Sequence, residues 1–568
     1  MISEINPGII LIAGALLIPI LPGLVRSIHM LVVPIIAFIH VLGLPIGEFG
    51  QIELFELTLV TLRVDKLSLI FGYIFIIATF LGVLYALHVG DWVQHTAAMI
   101  YAGSAVGAVF AGDLVTLFVF WEMTAIASVF LIWASRTERA YRSGQRYLIV
   151  QIGSGVILLA GVLMYFRESG SIAFNAIGIE TLAGQLILLA FGIKCAFPLL
   201  HNWLQDSYPE ATVTGTVILS AFTTKLAVYA LARGYAGTEL LVPIGAIMAA
   251  FPLFYAAIEN DMRRVLAYAL NNQLGFMVVG VGIGTELALN GVAAHAFCHI
   301  IYKALLFMAV GAVLFRVGSA KASELGGLYR SMPLTFAFCL IGAASISLPF
   351  FSGFVAKSLI ISAAMKGYYF GAWITLLLAS AGVFLVCGLR LPYVIFAGDH
   401  KTAQNKHQKY KTVPANMIAA MGLAAALCVG IGVYYIPLYE LLPYKVKYDP
   451  YTLDHIVTQL QLVAFSTLAF VYLLQQRMFP VDVKSTLLDT DWFYRKLGYS
   501  LAIKLTAMAE KTWRAVSDKV TETAVSLERW LDEHHSTDSV LGRTWPTGTM
   551  AFWATVMLGG YLILLYFR

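Results

Sequence analysis

The sequence predicts an all-α polytopic membrane protein, and three observations carry that prediction. Of its 568 residues, 60% are hydrophobic and only 12% are charged, against roughly 25% charged in soluble domains. Mean hydropathy is +0.81. Apolar runs of roughly the 20 residues that a spanning helix needs recur along the chain. They are too long, and too rarely alternating, for the strands of an outer-membrane barrel. The net charge of +5 is small for this length and gives no reason to expect a nucleic-acid partner. Cys195, Cys298, Cys339, Cys387 and Cys428 all lie in apolar runs without a CxxC pair. They read as small core residues, with no disulfide framework or thiolate metal site.

About sixteen spanning segments follow in order. Residues 1–90 hold runs 8–22, 28–45 and 66–88. The first has no basic stretch before it and reads as a retained helix rather than a cleaved signal. Residues 91–235 hold 95–111, 113–135, 145–166, 184–202 and 212–232. Residues 236–397 hold 240–258, 264–282, 288–315, 334–365 and 372–397, and residues 398–480 hold 414–436 and 458–478. Run 334–365 contains Pro349 and Gly353, which predict a broken helix rather than a long one.

Loop charge predicts the orientation. Loops after odd-numbered segments carry Arg136, Arg139, Arg142, Arg146, Arg263, Arg264, Arg316, Lys321, Lys401, Lys406, Lys409 and Lys411. Loops after even-numbered segments carry fewer basic residues and the acids Glu48, Glu53 and Glu56. The positive-inside rule then puts the odd loops in the cytoplasm and the N-terminus outside, in a plasma or inner membrane. Residues 481–547 change character. Leu497, Leu501, Leu505, Met508, Trp513, Val516 and Val520 recur at helical spacing, with Lys504, Lys511, Arg514 and Lys519 between them. This predicts a long amphipathic helix on the cytoplasmic interface, followed by a terminal anchor in 548–568.

Charges inside the apolar runs are the candidate functional residues. A lysine at the centre of a spanning helix costs at least about 2.5–3.5 kcal/mol. Lys194 and Lys225 flank a polar connector with His201, Asp206, Pro209 and Glu210. Pro198 should interrupt the helix that carries Lys194 and free backbone groups that need a wet or protein-lined cavity. Glu122 lies about ten residues from either end of its run, too deep to snorkel, so it needs a proton or a cation partner. Desolvation favours a neutral lysine and a nearby carboxylate a charged one. A lysine whose partner comes and goes is thus a switchable proton carrier, whereas arginine holds its proton too tightly. His295, His299 and Lys303, at i, i+4 and i+8, stack along one helix face. Their HxxxH also resembles a metal pair, but no third ligand follows at zinc-like spacing, so no metal is expected. Lys357 again sits beside a proline and a glycine, Pro349 and Gly353. Arg263 and Arg264, with Glu259 and Asp261, read as a loop ion cluster, and Asp113 and Arg390 as interfacial anchors near segment ends. No Walker loop, GxGxxG opening a βαβ unit, GxSxG or haem-attachment motif appears, so the expectation is a transporter subunit, not an enzyme, with no cofactor of its own.

Several stretches resemble one family. FVFWEMTAIAS around Glu122, GIKCAFPLLHNWLQDSYPEA around Lys194 and TTKLAVYAL around Lys225 carry the likeness. It continues in ENDMRRVLAYALNNQLG, HAFCHIIYKALLFMAVGAV and LPFFSGFVAKS. Residues 60–430 thereby resemble the antiporter-like subunits shared by complex I, membrane-bound hydrogenases and Mrp-type multisubunit cation/proton antiporters, most nearly the Mrp D type. The resemblance implies about 14 core helices with two inverted five-helix repeats, one in 91–235 and one in 236–397, each with a broken helix at Lys194 or Lys357. It implies that Glu122 and Lys194 form an ion-paired switch, that Lys225, His295 and His299 (with Lys303 on the same face) carry protons laterally, and that Lys357 ends the path. The implied partners are other membrane subunits, protons, Na+ and the bilayer. The alternatives are a proton-pumping subunit of a redox complex, whose distal pump has a lateral helix like 481–547, and a scaffold without transport.

Overall fold

The computed structural model describes residues 4–54, 57–398, 412–476, 478, 489–539 and 542–567. Glu56, Lys401, Lys406, Lys409 and Lys411 lie outside them. The chain divides into two units, Met1–Leu487 and Leu488–Arg568. Both are helical, and twelve described helices are long and apolar enough to cross a membrane.

The first unit opens with α1 (Pro7–Leu17) and α2 (Gly23–Leu42), followed by strands β1 (Gly47–Leu54) and β2 (Leu57–Val64). The strands pair antiparallel, with Gly47 opposite Val64 and Leu54 opposite Leu57. From sequence alone this hairpin reads as loop. Helices α3 (Lys66–Ala86), α4 (Trp92–Val109), α5 (Leu114–Trp133) and α6 (Glu138–Ser169) follow, then α7 (Leu182–Lys194), the short α8 (Asn202–Ser207), α9 (Val213–Leu219) and α10 (Thr223–Gly234). Next come α11 (Leu241–Ile258), α12 (Met262–Ile283), α13 (Glu286–Val317), α14 (Pro333–Ala344), α15 (Ser352–Lys366) and α16 (Phe370–Val383). Wider turns at Phe384–Arg390 and Tyr393–Ala397 carry on from α16, before α17 (Ala415–Val433), α18 (Ile436–Glu440) and α19 (Leu453–Gln475).

The core lies where α9, α10, α12 and α13 meet. The spans of α9–α10 and of α12 are buried along their whole length. Small residues allow this. Gly275 of α12 lies against the α11 backbone at Gly245 and Ala249, where a Cβ would overlap main-chain atoms, as in other close membrane-helix contacts. Asn416, at the start of α17, donates to the carbonyls of Leu84 and Tyr85, both at 3.0 Å.

Hydrogen bonds between loops define two ends of the bundle. At the hairpin end, Arg63 donates to the Phe174 carbonyl at 3.0 Å, Ile177 N to Gly234 O at 2.8 Å and Gly237 N to Val281 O at 2.9 Å. Asn290 reaches the Tyr444 carbonyl at 3.0 Å at this same end. The opposite end holds the connector between α8 and α9 and the loop pairing Met262 N with Ala320 O.

Asp65 organises the hairpin end. Its carboxylate caps α3 by accepting from Ser68 N at 2.8 Å and pairs with Arg233 at 2.8 Å and Arg63 at 3.3 Å. Burial raises this carboxyl, but Arg233, the Ser68 amide and Arg63 outweigh it and hold the group below the usual 3.8. Its contribution is therefore fully present above pH 3.8 and is lost as pH falls through the depressed native value. Asp65→Asn preserves the cap but strands Arg233, whose side chain is 6% exposed. The expected cost is about 3 kcal/mol, read as a lower unfolding temperature, with part of it recovered in Asp65→Asn/Arg233→Gln.

The second unit holds α20 (Tyr499–His535) and α21 (Thr547–Tyr566). No residue of either is buried within this unit. Leu501, Leu505, Met508, Trp513, Val516 and Val520 of α20 are all exposed.

Candidate functional site

Among the described residues, three spans are broken in mid-course. The first break, residues 195–201, directly follows Lys194, the last residue of α7. Ala196 and Leu199 there adopt φ of 61° and 70°, a left-handed backbone that non-glycine residues rarely take and that costs about 1–3 kcal/mol each. Pro198 lies between them. The second, residues 220–222, separates α9 from α10 just before Lys225. The third, residues 345–351, precedes the helix of Lys357 and includes Phe350 at φ 68°. The first and third match the expectation from Pro198, Pro349 and Gly353; the second falls in a run whose sequence reads as continuous helix.

Lys194 is fully buried. Its ammonium donates to the Trp121 carbonyl at 2.6 Å and the Thr124 hydroxyl at 3.1 Å, and it lies 4.4 Å from the Trp121 ring centre. Glu122, the next residue on α5, is half-buried. Its Oε1 is buried with no hydrogen-bond partner and packs against Gly155 of α6, where a Cβ would overlap it. Lys194 and Glu122 are thus electrostatic neighbours, but the ammonium is held by Trp121 and Thr124 rather than by a contact ion pair.

Lys225, also fully buried, donates to the Ser220 carbonyl at 2.7 Å, a group freed by the second break. The Tyr101 hydroxyl pins the start of α10 through Thr223 Oγ1 at 2.6 Å and accepts from Thr223 N at 3.0 Å. Cys195, the residue after Lys194, and Lys303 both lie within electrostatic reach of Lys225.

Beyond it, the His295 and His299 rings stack with centroids 5.8 Å apart. All four of their ring nitrogens are buried without a protein hydrogen-bond partner. Lys303 is 1% exposed and Lys357 3%. Phe276 bridges the last gap, 6.0 Å from the His295 ring and 5.0 Å from the Lys357 ammonium. Lys357 Nζ lies 3.4 Å from Ser347 Oγ and 3.5 Å from Ser380 Oγ. The structure therefore gathers Lys225, His295, His299, Lys303 and Lys357 within electrostatic reach of one another. Glu122 and Lys194 form a neighbouring pair.

Residues not singled out from sequence complete the polar interior. Gln273 of α12 donates to Asn272 and accepts from the Tyr302 hydroxyl at 2.9 Å. Both Asn271 amide atoms are buried with no partner. Their signal is a polar triplet, NNQ, inside an apolar run. The connector is clamped. Arg146 grips Asp206 with two bonds, at 2.8 and 3.0 Å, and Arg139 pairs with Glu210 at 2.6 Å. Arg264 pairs with Glu259 at 3.6 Å as expected, but Arg263 and Arg264 also donate to the Ala211 and Gln205 carbonyls, so they brace the connector as well. Asp113 is a buried cap, accepting from Thr116 N at 2.7 Å and Val60 N at 2.8 Å. Arg390, expected at an interface, is fully buried. It binds the Ala256 and Glu259 carbonyls at 3.0 and 2.8 Å, because α11 ends there with unpaired carbonyls.

Residues 111–385 match the family described as NADH:quinone oxidoreductase/Mrp antiporter, TM. This stretch is the antiporter-like membrane domain of the chain. Among relatives, this protein is 28% identical over 429 residues to hydrogenase-4 component B of Escherichia coli, covering 66% of this chain and 62% of that protein. It is 28% identical over 487 residues to one Na(+)/H(+) antiporter subunit of Alkalihalophilus pseudofirmus, covering 74% and 60%. It is 27% identical over 322 residues to a second Na(+)/H(+) antiporter subunit of the same organism, covering 53% and 65%. The chain thus spans about three fifths of the length of these curated relatives. Such even identities rank no parent assembly above another. Two solved structures share the fold. The Mrp complex from Dietzia sp. DQ12-45-1b matches with TM-score 0.66 at 20% identity, over 82% of this chain and 95% of that one. The archaeal membrane-bound sulfane sulfur reductase matches with TM-score 0.71 at 21% identity, over 99% of both.

Proposed function

We propose that this antiporter-like protein translocates protons within a multisubunit sodium (cation)/proton antiporter, in partnership with other membrane subunits. The carrying observation is the row of buried Lys194, Lys225, His295, His299, Lys303 and Lys357, with Glu122 beside its first member and helix breaks at three points along it. Buried ionisable groups at membrane depth mark ion pathways by default, and breaks are tolerated where they line a polar interior. Glu122 and Lys194 act as the switch: when the carboxylate and ammonium meet, the proton is held, and when they part, as in this conformation, it is free to move. Lys225 passes it to the histidines, whose unpaired ring nitrogens leave water as their partner, and Lys357 ends the path. Loop charge supports an N-terminus, and with it the hairpin end, outside the cell.

The test is proton flux in proteoliposomes holding the assembled complex. Lys194→Ala and Glu122→Ala should each lower it at least about tenfold; wild-type flux in both would reject the reading in favour of a scaffold role. A second reading, a proton-pumping subunit of a redox complex, is favoured by the sulfane sulfur reductase likeness, which extends over the tail. Identifying the proteins that copurify with the native chain separates the two: iron–sulfur or quinone-binding partners in one case, only membrane subunits in the other.

A further inference from the structure

A cavity of about 10 Å³ adjoins the end of the proposed path, room for about one water. Lys357, Ser347, Ser358 and Ser380 line one part of its wall, and His455 and Gln459 of α19 another. Only 11% of the span of α19 is buried. Yet its positions facing this cavity, one turn apart, are a histidine and a glutamine rather than packing residues. Gln459 donates to the Ser347 carbonyl at 2.9 Å, tying α19 to the break before α15. His455 reaches outward from there. Its Nδ1 lies 3.2 Å from the Pro450 carbonyl and 3.1 Å from the Tyr448 hydroxyl, which accepts from Ser362 at 2.9 Å. A carbonyl can only accept, so the neutral ring carries its proton on Nδ1 and Nε2 is the basic nitrogen. The charged and titratable groups around the ring are Lys357 of α15, Tyr448 and the exposed Asp449 of the preceding loop, and the exposed Asp454 of α19. Lys366 lies 6.0 Å from the Tyr448 ring. This loop belongs to the hairpin end.

We propose that His455 is the group through which Lys357 exchanges protons with the solvent at the hairpin end. The inference rests on the proton-translocation reading above. In the outward step an Nζ–H bond of Lys357 breaks and leaves its electron pair on nitrogen. The proton crosses the cavity by way of water and bonds to Nε2. The imidazolium then releases its Nδ1 proton towards the surface past Tyr448, and the acids at the mouth attract it. The ring regains its starting tautomer by exchange before the next transfer.

The experiment measures proton flux in proteoliposomes of the assembled complex carrying His455→Gln, with Lys194→Ala as reference. Glutamine keeps a donor for the Pro450 carbonyl but cannot relay a proton, so a purely structural role is spared. The expected result is intact assembly, flux lowered about tenfold, and partial recovery on adding imidazole. Full flux in His455→Gln while Lys194→Ala is impaired overturns the role of His455 and leaves the function standing. A loss that imidazole does not recover also overturns it. Full flux in both variants removes the function and this inference together. Should His455→Gln fail to assemble, Ser380→Val narrows the cavity instead: lowered flux supports the exchange route and unchanged flux overturns it.

Discussion

Lys225→Met lowers proton flux through the assembled complex by about 100-fold or more, with assembly retained. The side chain is fully buried and its ammonium donates to the Ser220 carbonyl at 2.7 Å. Methionine matches its length and removes a buried charge, a change that is often structurally neutral. The orphaned carbonyl costs about 1–3 kcal/mol at most, too little to unfold a bundle packed along the whole of α10. Lys225→Arg is the discriminating companion. Arginine restores charge and hydrogen bonding but does not release its proton, so it fails to restore flux. A structural role predicts the reverse, with arginine near wild type. Dye-monitored flux at matched protein content decides between them.

The second large effect comes from a residue that carries no charge. Gly155→Ala places a Cβ on the Glu122 Oε1, the far end of a flexible side chain, so the carboxyl moves and the backbone does not. Displacing a reacting group by about 1 Å costs on the order of 100-fold. Flux should therefore fall as far as in Glu122→Ala, while copurification of the partner proteins is unchanged. Gly153→Ala is the control. It lies on the same helix, and a Cβ there meets nothing within 4 Å; its flux should match wild type.

What sequence could reveal follows from what makes a residue conspicuous. Lys194, Lys225 and Lys357 stand out because a charge in an apolar run is costly wherever it sits. The breaks beside Lys194 and Lys357 carry Pro198, Pro349 and Gly353. The break before Lys225 carries neither proline nor glycine. It is held by tertiary contacts: Phe222 packs edge-on against Phe75 at 5.3 Å and Tyr101 at 5.2 Å, and the Tyr101 hydroxyl holds Thr223. Such partners are distant in sequence. The hairpin is hidden for another reason. Its strands lie between strongly apolar runs, and Glu48, Gln51, Glu53 and Arg63 give it the look of a polar loop. Arg390 sits near a segment end, where an interfacial position is the natural reading, but the carbonyls that draw it inward belong to α11. Gly155 has no signal at all, since its importance lies in the space it leaves for Glu122.

The Asp65–Arg233 pair has a consequence for how the chain is made. Arg233 follows Asp65 by 168 residues, and Asn416 follows Leu84 by 332. At roughly 5–20 residues per second, α3 emerges on the order of ten seconds or more before Arg233 exists, and waits longer still for Asn416. During that interval Arg63, two residues away, is the one described cation partner of Asp65 already synthesised. The two hairpin strands are neighbours in sequence and can pair locally, whereas the bonds that tie this end to Phe174, Gly234 and Val281 wait for later segments. The helices that carry Lys194, Lys225, Lys303 and Lys357 are made in that order, so all four lysines are present only once α15 has been synthesised.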